Sequence, residues 1–202
     1  MDLTLQKLRE MFAGAASDIS ANEQYLCSLD SVCGDGDHGV AIRGAICAAS
    51  DALKSASNLK DALYDAGMAA LANSNGTIYG TLLMGVSDGI EDGAESVPAA
   101  GVAAAFESAL ASMREVVKGD VGDKTCFDAL IPAVRAMGGK QDVAELFGAA
   151  ASAAEAGARS TEQLRAKFGR ARNLGEKSVG TLDPGAVSCA MIFAAFARAF
   201  SK

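Results

Sequence analysis

Apolar residues recur at helical spacing along almost the whole chain. Leu3, Leu5, Leu8 and Phe12, the last two four residues apart, predict a first amphipathic helix ending near Asp18. A second is expected over about 21–30. Ile42, Ile46 and Ala49 predict a helix over 40–56, and Leu63, Met68 and Leu71 predict one over 59–71. Further helices are expected at about 76–90, 101–117, 124–137, 141–157, 160–172 and 185–200. Pro132 falls inside one of them and predicts a kink or a start there. The strand-like alternation of apolar and polar residues is absent over any useful length.

Clusters of turn residues separate these segments: 33–39, 73–76, 119–122, 138–139 and 173–184. None is long or polar enough for a domain linker. The expectation is one all-α domain over 1–202, with about eight to ten helices and short connections that favour antiparallel neighbours. The Ala-rich tract 144–158 carries Glu145, Phe147 and Glu155 and is expected to be a helix packed closely on its neighbours.

Composition narrows the function. A net charge of -7 argues against a nucleic-acid binder that works through a basic face. Five cysteines, an odd number with no C-x-x-C pair, support neither a disulfide framework nor a zinc ribbon, so the cytoplasm is the expected compartment. The first residues lack the pattern of a secretion signal, and no run approaches the roughly 18 apolar residues of a membrane span. A single histidine removes most His-rich metal sites.

The most informative segment runs from Leu29 to Gly39 and holds Asp30, Asp35 and Asp37. Carboxylates this close repel one another and call for a cation, and hard oxygen donors suit Mg²⁺ or Ca²⁺ better than zinc. A solvated acidic turn capping the next helix is the alternative, and these residues alone leave both open. Gly34, Gly36 and Gly39 have the spacing of a dinucleotide fingerprint, but no strand precedes them. The start of a calcium-binding EF-hand loop also fails, since Gly39, Ala41 and Arg43 stand where later ligands belong. What survives is metal-bridged phosphate binding at the start of the helix near His38. No residue is assigned as catalytic; His38 is a possible phosphate contact.

Other segments are weaker singly. Ser74, Asn75 and the N–H groups after Gly76 could take a second phosphate or simply cap a helix. Asp123 could cap a helix. Arg170 could meet a phosphate, and Asp183, Pro184 and Gly185 read as a helix start. No Walker A sequence is present.

Taken in order, Leu29-Asp30 with 34–39, Gly76 with Tyr79-Gly80, 122–125, 169–171, 174–176 and 183–186 resemble the nucleotide-binding L subunits and domains of the dihydroxyacetone kinase family, over essentially the whole chain. The resemblance implies an antiparallel eight-helix barrel with ADP or ATP and two Mg²⁺ ions at one end. It implies that Asp30, Asp35 and Asp37 hold the metals. His38, the first turn through Ala41, and Ser74, Asn75 and Gly76 would contact the phosphates. Gly119, Cys126, Arg170, Asp183, Pro184 and Gly185 would line the rest of the site. It further implies partners. A phosphohistidine on an M-type subunit would rephosphorylate retained ADP, and the phosphate would pass to dihydroxyacetone on a K-type subunit, since 202 residues leave no room for a substrate domain.

The chain departs from the family pattern at Asn75, where a small Ser is usual, at Asn173, where a Tyr is common, and at Thr181, where a His is common. The loop 119–122 is shortened and lacks its usual Pro. Two other functions fit the same site: the nucleotide subunit of an ATP-dependent kinase for a related ketose, and a Mg-nucleotide-dependent regulatory protein, for instance one acting on a transcription regulator.

Overall fold

The computed structural model describes residues 1–73 and 76–201. The all-α expectation holds. The described residues form α1 (Leu5–Ala21), α2 (Glu23–Cys33), α3 (His38–Ala52), α4 (Leu59–Leu71), α5 (Thr77–Asp88), α6 (Ala99–Val116), α7 (Phe127–Ala136), α8 (Val143–Ser160) and α9 (Pro184–Arg198). The sheet among them is one antiparallel pair of two-residue strands, β1 (Leu3–Thr4) with β2 (Ser96–Val97), which pairs Leu3 with Val97.

Eight helices close a ring in which α1 packs on α3, α3 on α4, and so on through α8 and α9 back to α1. The short α2 stands outside it, against α3 and α9. Phenylalanines fill the interior: Phe12 and Phe147 flank Phe196 at ring separations of 5.1 and 5.8 Å, and Phe200 stacks on Phe147. Small residues set the helix spacing. Gly67 of α4 and Gly80 of α5 face each other's backbone carbonyls without room for a side chain, so α5 starts tight against α4. Buried Ala45, Ala49, Ala62, Ala66 and Ala70 do the same between α3 and α4. Among the described residues no helix is long and apolar enough to cross a membrane.

Several boundaries differ from expectation. α1 runs to Ala21 and α2 to Cys33, each about a turn further than expected, so Asp30 lies in the last turn of α2 and not at its end. No helix forms over 160–172. Ala166 is the one fully buried apolar residue after Thr161 in that stretch, and Gly169 has φ 63°, so the segment passes through a 3-10 turn at Thr161–Gln163 to a 3-10 run at Arg170–Ser178 broken at Gly175. α7 begins at Phe127, later than expected, because Lys124 has φ 59° and cannot be α-helical. Pro132 sits inside α7 and neither starts nor ends it.

Candidate functional site

A cleft of about 480 Å³ opens at one end of the ring. His38 begins α3, Ile78 and Tyr79 lie in the first turn of α5, Cys126 precedes α7, and Pro184 and Gly185 begin α9; all of them line it. Alternate helices therefore start at this end, as an antiparallel ring requires. Four helix N-termini, each equivalent to roughly half a positive charge, converge on one cavity.

Against that field stand the three carboxylates. The Asp30 side chain, in the last turn of α2, accepts the N–H groups of Gly36 at 2.9 Å and Asp37 at 3.1 Å. Those two bonds fold the intervening turn, helped by Gly36 at φ 78° and by Gly34, which packs on Asp30 where no side chain fits. Asp37 occupies the N-cap position of α3, yet its carboxylate makes no capping bond. The outcome is that Asp30, Asp35 and Asp37 each offer one oxygen, all within 4.8 Å of one another. Three hard oxygens at that separation, on a turn at a phosphate-attracting helix end, fit Mg²⁺ or Ca²⁺. The fingerprint-like glycines are accounted for by packing and turn geometry, because Gly39 lets α3 approach the Glu23 carbonyl of α2.

Asp35 forms an ion pair with Arg170. Burial works against its ionisation, but its own backbone N–H and the Arg170 charge outweigh that and hold the carboxyl below the usual carboxylate range.

His38 turns its ring inward. Nε2 lies 3.0 Å from the Ser188 hydroxyl, which donates to the Gly185 carbonyl at 3.0 Å and lies 3.4 Å from the Tyr79 hydroxyl. Burial lowers the imidazole pKa, against the opposing charges of Asp30 and Asp37 and a hydrogen bond with the Pro184 backbone. A ring tied to α9 in this way orients the start of α3.

Asp183 caps α9 by accepting the Ala186 N–H at 2.7 Å. Burial pushes its carboxyl up to about 7. Burial likewise raises the Cys126 thiol, and raises Cys189 to about 12, so neither is a thiolate nucleophile.

Of the residues expected at the site, Asp30, Asp35, Asp37, His38, Cys126, Arg170, Asp183, Pro184 and Gly185 line the cleft. Ser74 and Asn75 lie outside the described residues. Gly76 is pressed on the Ala70 carbonyl, Ala41 is buried, and Gly119 lies against the Phe127 ring; none of these three lines the cleft. Asp123 does not cap a helix. It accepts the Asp120 N–H at 2.7 Å and pairs with Lys167 at 2.8 Å, closing the short loop. Lys124 and Thr125, which the sequence offered only as part of the 122–125 motif, also wall the cleft, as do Phe168 and Leu182, which it did not single out. Lys124 carries no local signal because its partners are backbone carbonyls far along the chain.

The DAK2 domain family matches residues 32–198. The chain is 32% identical over 180 residues to the ADP-binding subunit DhaL of PEP-dependent dihydroxyacetone kinase 1 from Listeria innocua, covering 87% of this chain and 86% of that one. It is 38% identical over 191 residues to L-erythrulose kinase of Pectobacterium atrosepticum, covering 88% of this chain but 32% of the kinase. The dihydroxyacetone kinase of C. freundii, solved in complex with AMP-PNP and Mg²⁺, superposes with a TM-score of 0.74 at 26% identity over 98% of this chain and 34% of that one. The chain thus spans most of the DhaL subunit and about a third of the two longer kinases.

Proposed function

The chain belongs to the DAK2 domain family, and from that premise we propose that it is the nucleotide-carrying, phosphoryl-transfer subunit of a dihydroxyacetone kinase. In this reading it keeps Mg-ADP bound, with two Mg²⁺ ions, and passes phosphate from a phosphohistidine on a donor subunit to dihydroxyacetone on a separate substrate-binding subunit. The observation that carries the reading is the convergence of Asp30, Asp35 and Asp37 within 4.8 Å of one another at a cleft faced by four helix N-termini.

Each part of the cleft has a task in that chemistry. Asp30, Asp35 and Asp37 would hold Mg²⁺, which when bound neutralises charge on the β- and γ-phosphates. First-turn N–H groups of α3, α5, α7 and α9 have no partner within their own helices and suit phosphate oxygens and the polar edges of the nucleotide. Cys126 would face the remainder of the nucleotide. Arg170 supplies a cation at the mouth. His38, tied to Ser188 of α9, and the first turn of α3 through Ala41 would lie along the phosphates. Phosphoryl transfer of this kind rests on positioning and charge neutralisation, so no covalent intermediate on the protein is required.

The experiment is to purify the chain natively, release its ligand and identify it by mass. Retained ADP that becomes ATP on addition of a phosphorylated donor subunit supports the relay. An empty site that exchanges free ATP supports a second reading, a nucleotide subunit for a related ketose, which the 38% identity to an L-erythrulose kinase favours. Activity on erythrulose against dihydroxyacetone, with the matching substrate subunit, separates the two. No nucleotide binding of any kind would overturn both.

A further inference from the structure

Lys124 is buried in the wall of the cleft, and its backbone conformation is one that side chains other than glycine rarely adopt. The Asp128 carboxylate imposes that conformation. It accepts the Gly122 N–H at 2.6 Å and the Thr125 N–H at 2.8 Å, one on each side of Lys124. The turn throws the lysine inward, where only 4% of its surface remains exposed.

There the ammonium donates to two backbone carbonyls, those of Thr161 and Thr181. Thr161 follows α8, and its hydroxyl accepts the Asp183 N–H at 2.9 Å. Thr181 belongs to the segment that leads into α9. One charged group therefore ties together the α6–α7 loop, the end of α8 and the start of α9. Two of these supply cleft walls, Lys124 to Cys126 from one and Thr181 to Gly185 from the other.

A role in stability alone fits these facts poorly. Burying an ammonium and forcing a left-handed turn on a lysine both oppose folding; an apolar side chain would avoid the first penalty and glycine the second. Both penalties fall at the cleft wall. We infer that Lys124 is a positioning residue for the nucleotide site: its ammonium holds the Thr181–Asp183 segment, and with it the N-terminus of α9, at a fixed distance from the N-terminus of α7. The inference rests on the Mg-nucleotide reading above. Its use of carbonyls explains why the identity of the Thr181 side chain leaves the tie intact.

The test uses the full chain, with calorimetric titration of Mg-ADP, Mn²⁺ titration of the Asp cluster, and thermal unfolding without ligand. Wild type should bind Mg-ADP. Lys124→Met should bind it about tenfold or more weakly, the loss expected for charge-assisted hydrogen bonds, with an unchanged or higher melting temperature. Mn²⁺ binding should not change, because the Asp cluster sits on α2 and the turn that leads into α3. Lys124→Gln, which keeps two N–H donors, should recover part of the affinity. Lys124→Gly relieves the strained turn yet should still lose affinity. Mg-ADP binding within about twofold of wild type in both the Met and Gly variants would overturn the inference, since that is well below the effect of one such bond. A parallel loss of Mn²⁺ binding and thermal stability would also overturn it, as a general structural effect. A wild type that binds Mn²⁺ but no nucleotide would overturn the functional reading and this inference together.

Discussion

Arg170 reaches across the mouth of the cleft to pair with Asp35, a member of the carboxylate cluster. The guanidinium thus occupies a carboxylate that a metal would use. Both side chains are solvent-accessible, so the pair itself contributes little to stability. Removing it should act in opposite directions on two ligands. Arg170→Ala should bind Mn²⁺ alone a few-fold more tightly, by roughly the value of that competing pair. The same variant should bind Mg-ADP about tenfold more weakly, because a cation beside the phosphates is lost. Mn²⁺ titration followed by paramagnetic resonance, with calorimetry for the nucleotide, reads both. Weaker Mn²⁺ binding in the variant would refute the competition.

The carboxylates themselves should be indispensable for retaining nucleotide. Asp35→Asn with Asp37→Asn keeps the size of each side chain and removes two charges from the cluster, so copurified ADP should disappear from the mass spectrum. Retained ADP at wild-type level would remove the metal assignment. Asp30→Asn is a separate case. Its remaining carbonyl oxygen can still accept the Gly36 and Asp37 N–H groups, so the turn should survive while metal affinity falls.

Asp183 and His38 push the pH dependence of stability in opposite directions. Burial raises the Asp183 carboxyl from 3.8 to about 7, so the folded state binds a proton that the unfolded state has released. Its contribution is complete below about pH 4 and is lost as pH rises through about 7. The imidazole of His38 is lowered, so its contribution is present above 6.5 and lost as pH falls through the lower folded value. Asp183→Asn keeps a capping side chain for α9 and removes the first of these terms. Ligand-free Asp183→Asn should therefore match wild type at or below about pH 4 and exceed it increasingly as pH rises, by about 3–4 kcal/mol at pH 8. Urea unfolding at the two pH values checks this. A constant offset between the two would refute it.

Local signals in the sequence account for the helices and for the acidic half of the site. The sequence pattern located all nine α-helices among the described residues, because each buries one face against its neighbours. It also placed a helix over 160–172 that does not form, since Arg165, Lys167, Arg170 and Arg172 favour helix locally while almost nothing there reaches the core. Asp30, Asp35 and Asp37 were legible because they lie within one short turn. The contacts of Lys124 with Thr161 and Thr181, of Asp128 with Gly122, and of His38 with Ser188 were not. Those of Lys124 and His38 join segments whose meeting depends on closure of the ring, and those of Lys124 and Asp128 end on backbone atoms that any residue type would supply.

Pro132 and Gly157 test the packing that holds the Lys124 turn. Pro132 has no N–H, so the Asp128 carbonyl four residues earlier receives no helical hydrogen bond. Gly157 of α8 lies against that carbonyl, where a methyl group would overlap it. Gly148, on the same helix, has open space where its Cβ would be. One substitution should then have opposite signs at two positions of α8. Gly157→Ala should destabilise by about 1–3 kcal/mol, because α8 must move away from α7. Gly148→Ala should stabilise by up to about 1 kcal/mol, because alanine is the better helix former and meets nothing. Thermal unfolding gives the signs, with shifts of about 2–4 °C per kcal/mol for a chain of this size. Since Asp128 fixes the turn at Lys124, the displaced α7 of Gly157→Ala should also weaken Mg-ADP binding, whereas Gly148→Ala should leave it unchanged. Equal effects of the two alanines on stability would show that α7 and α8 do not meet through Gly157.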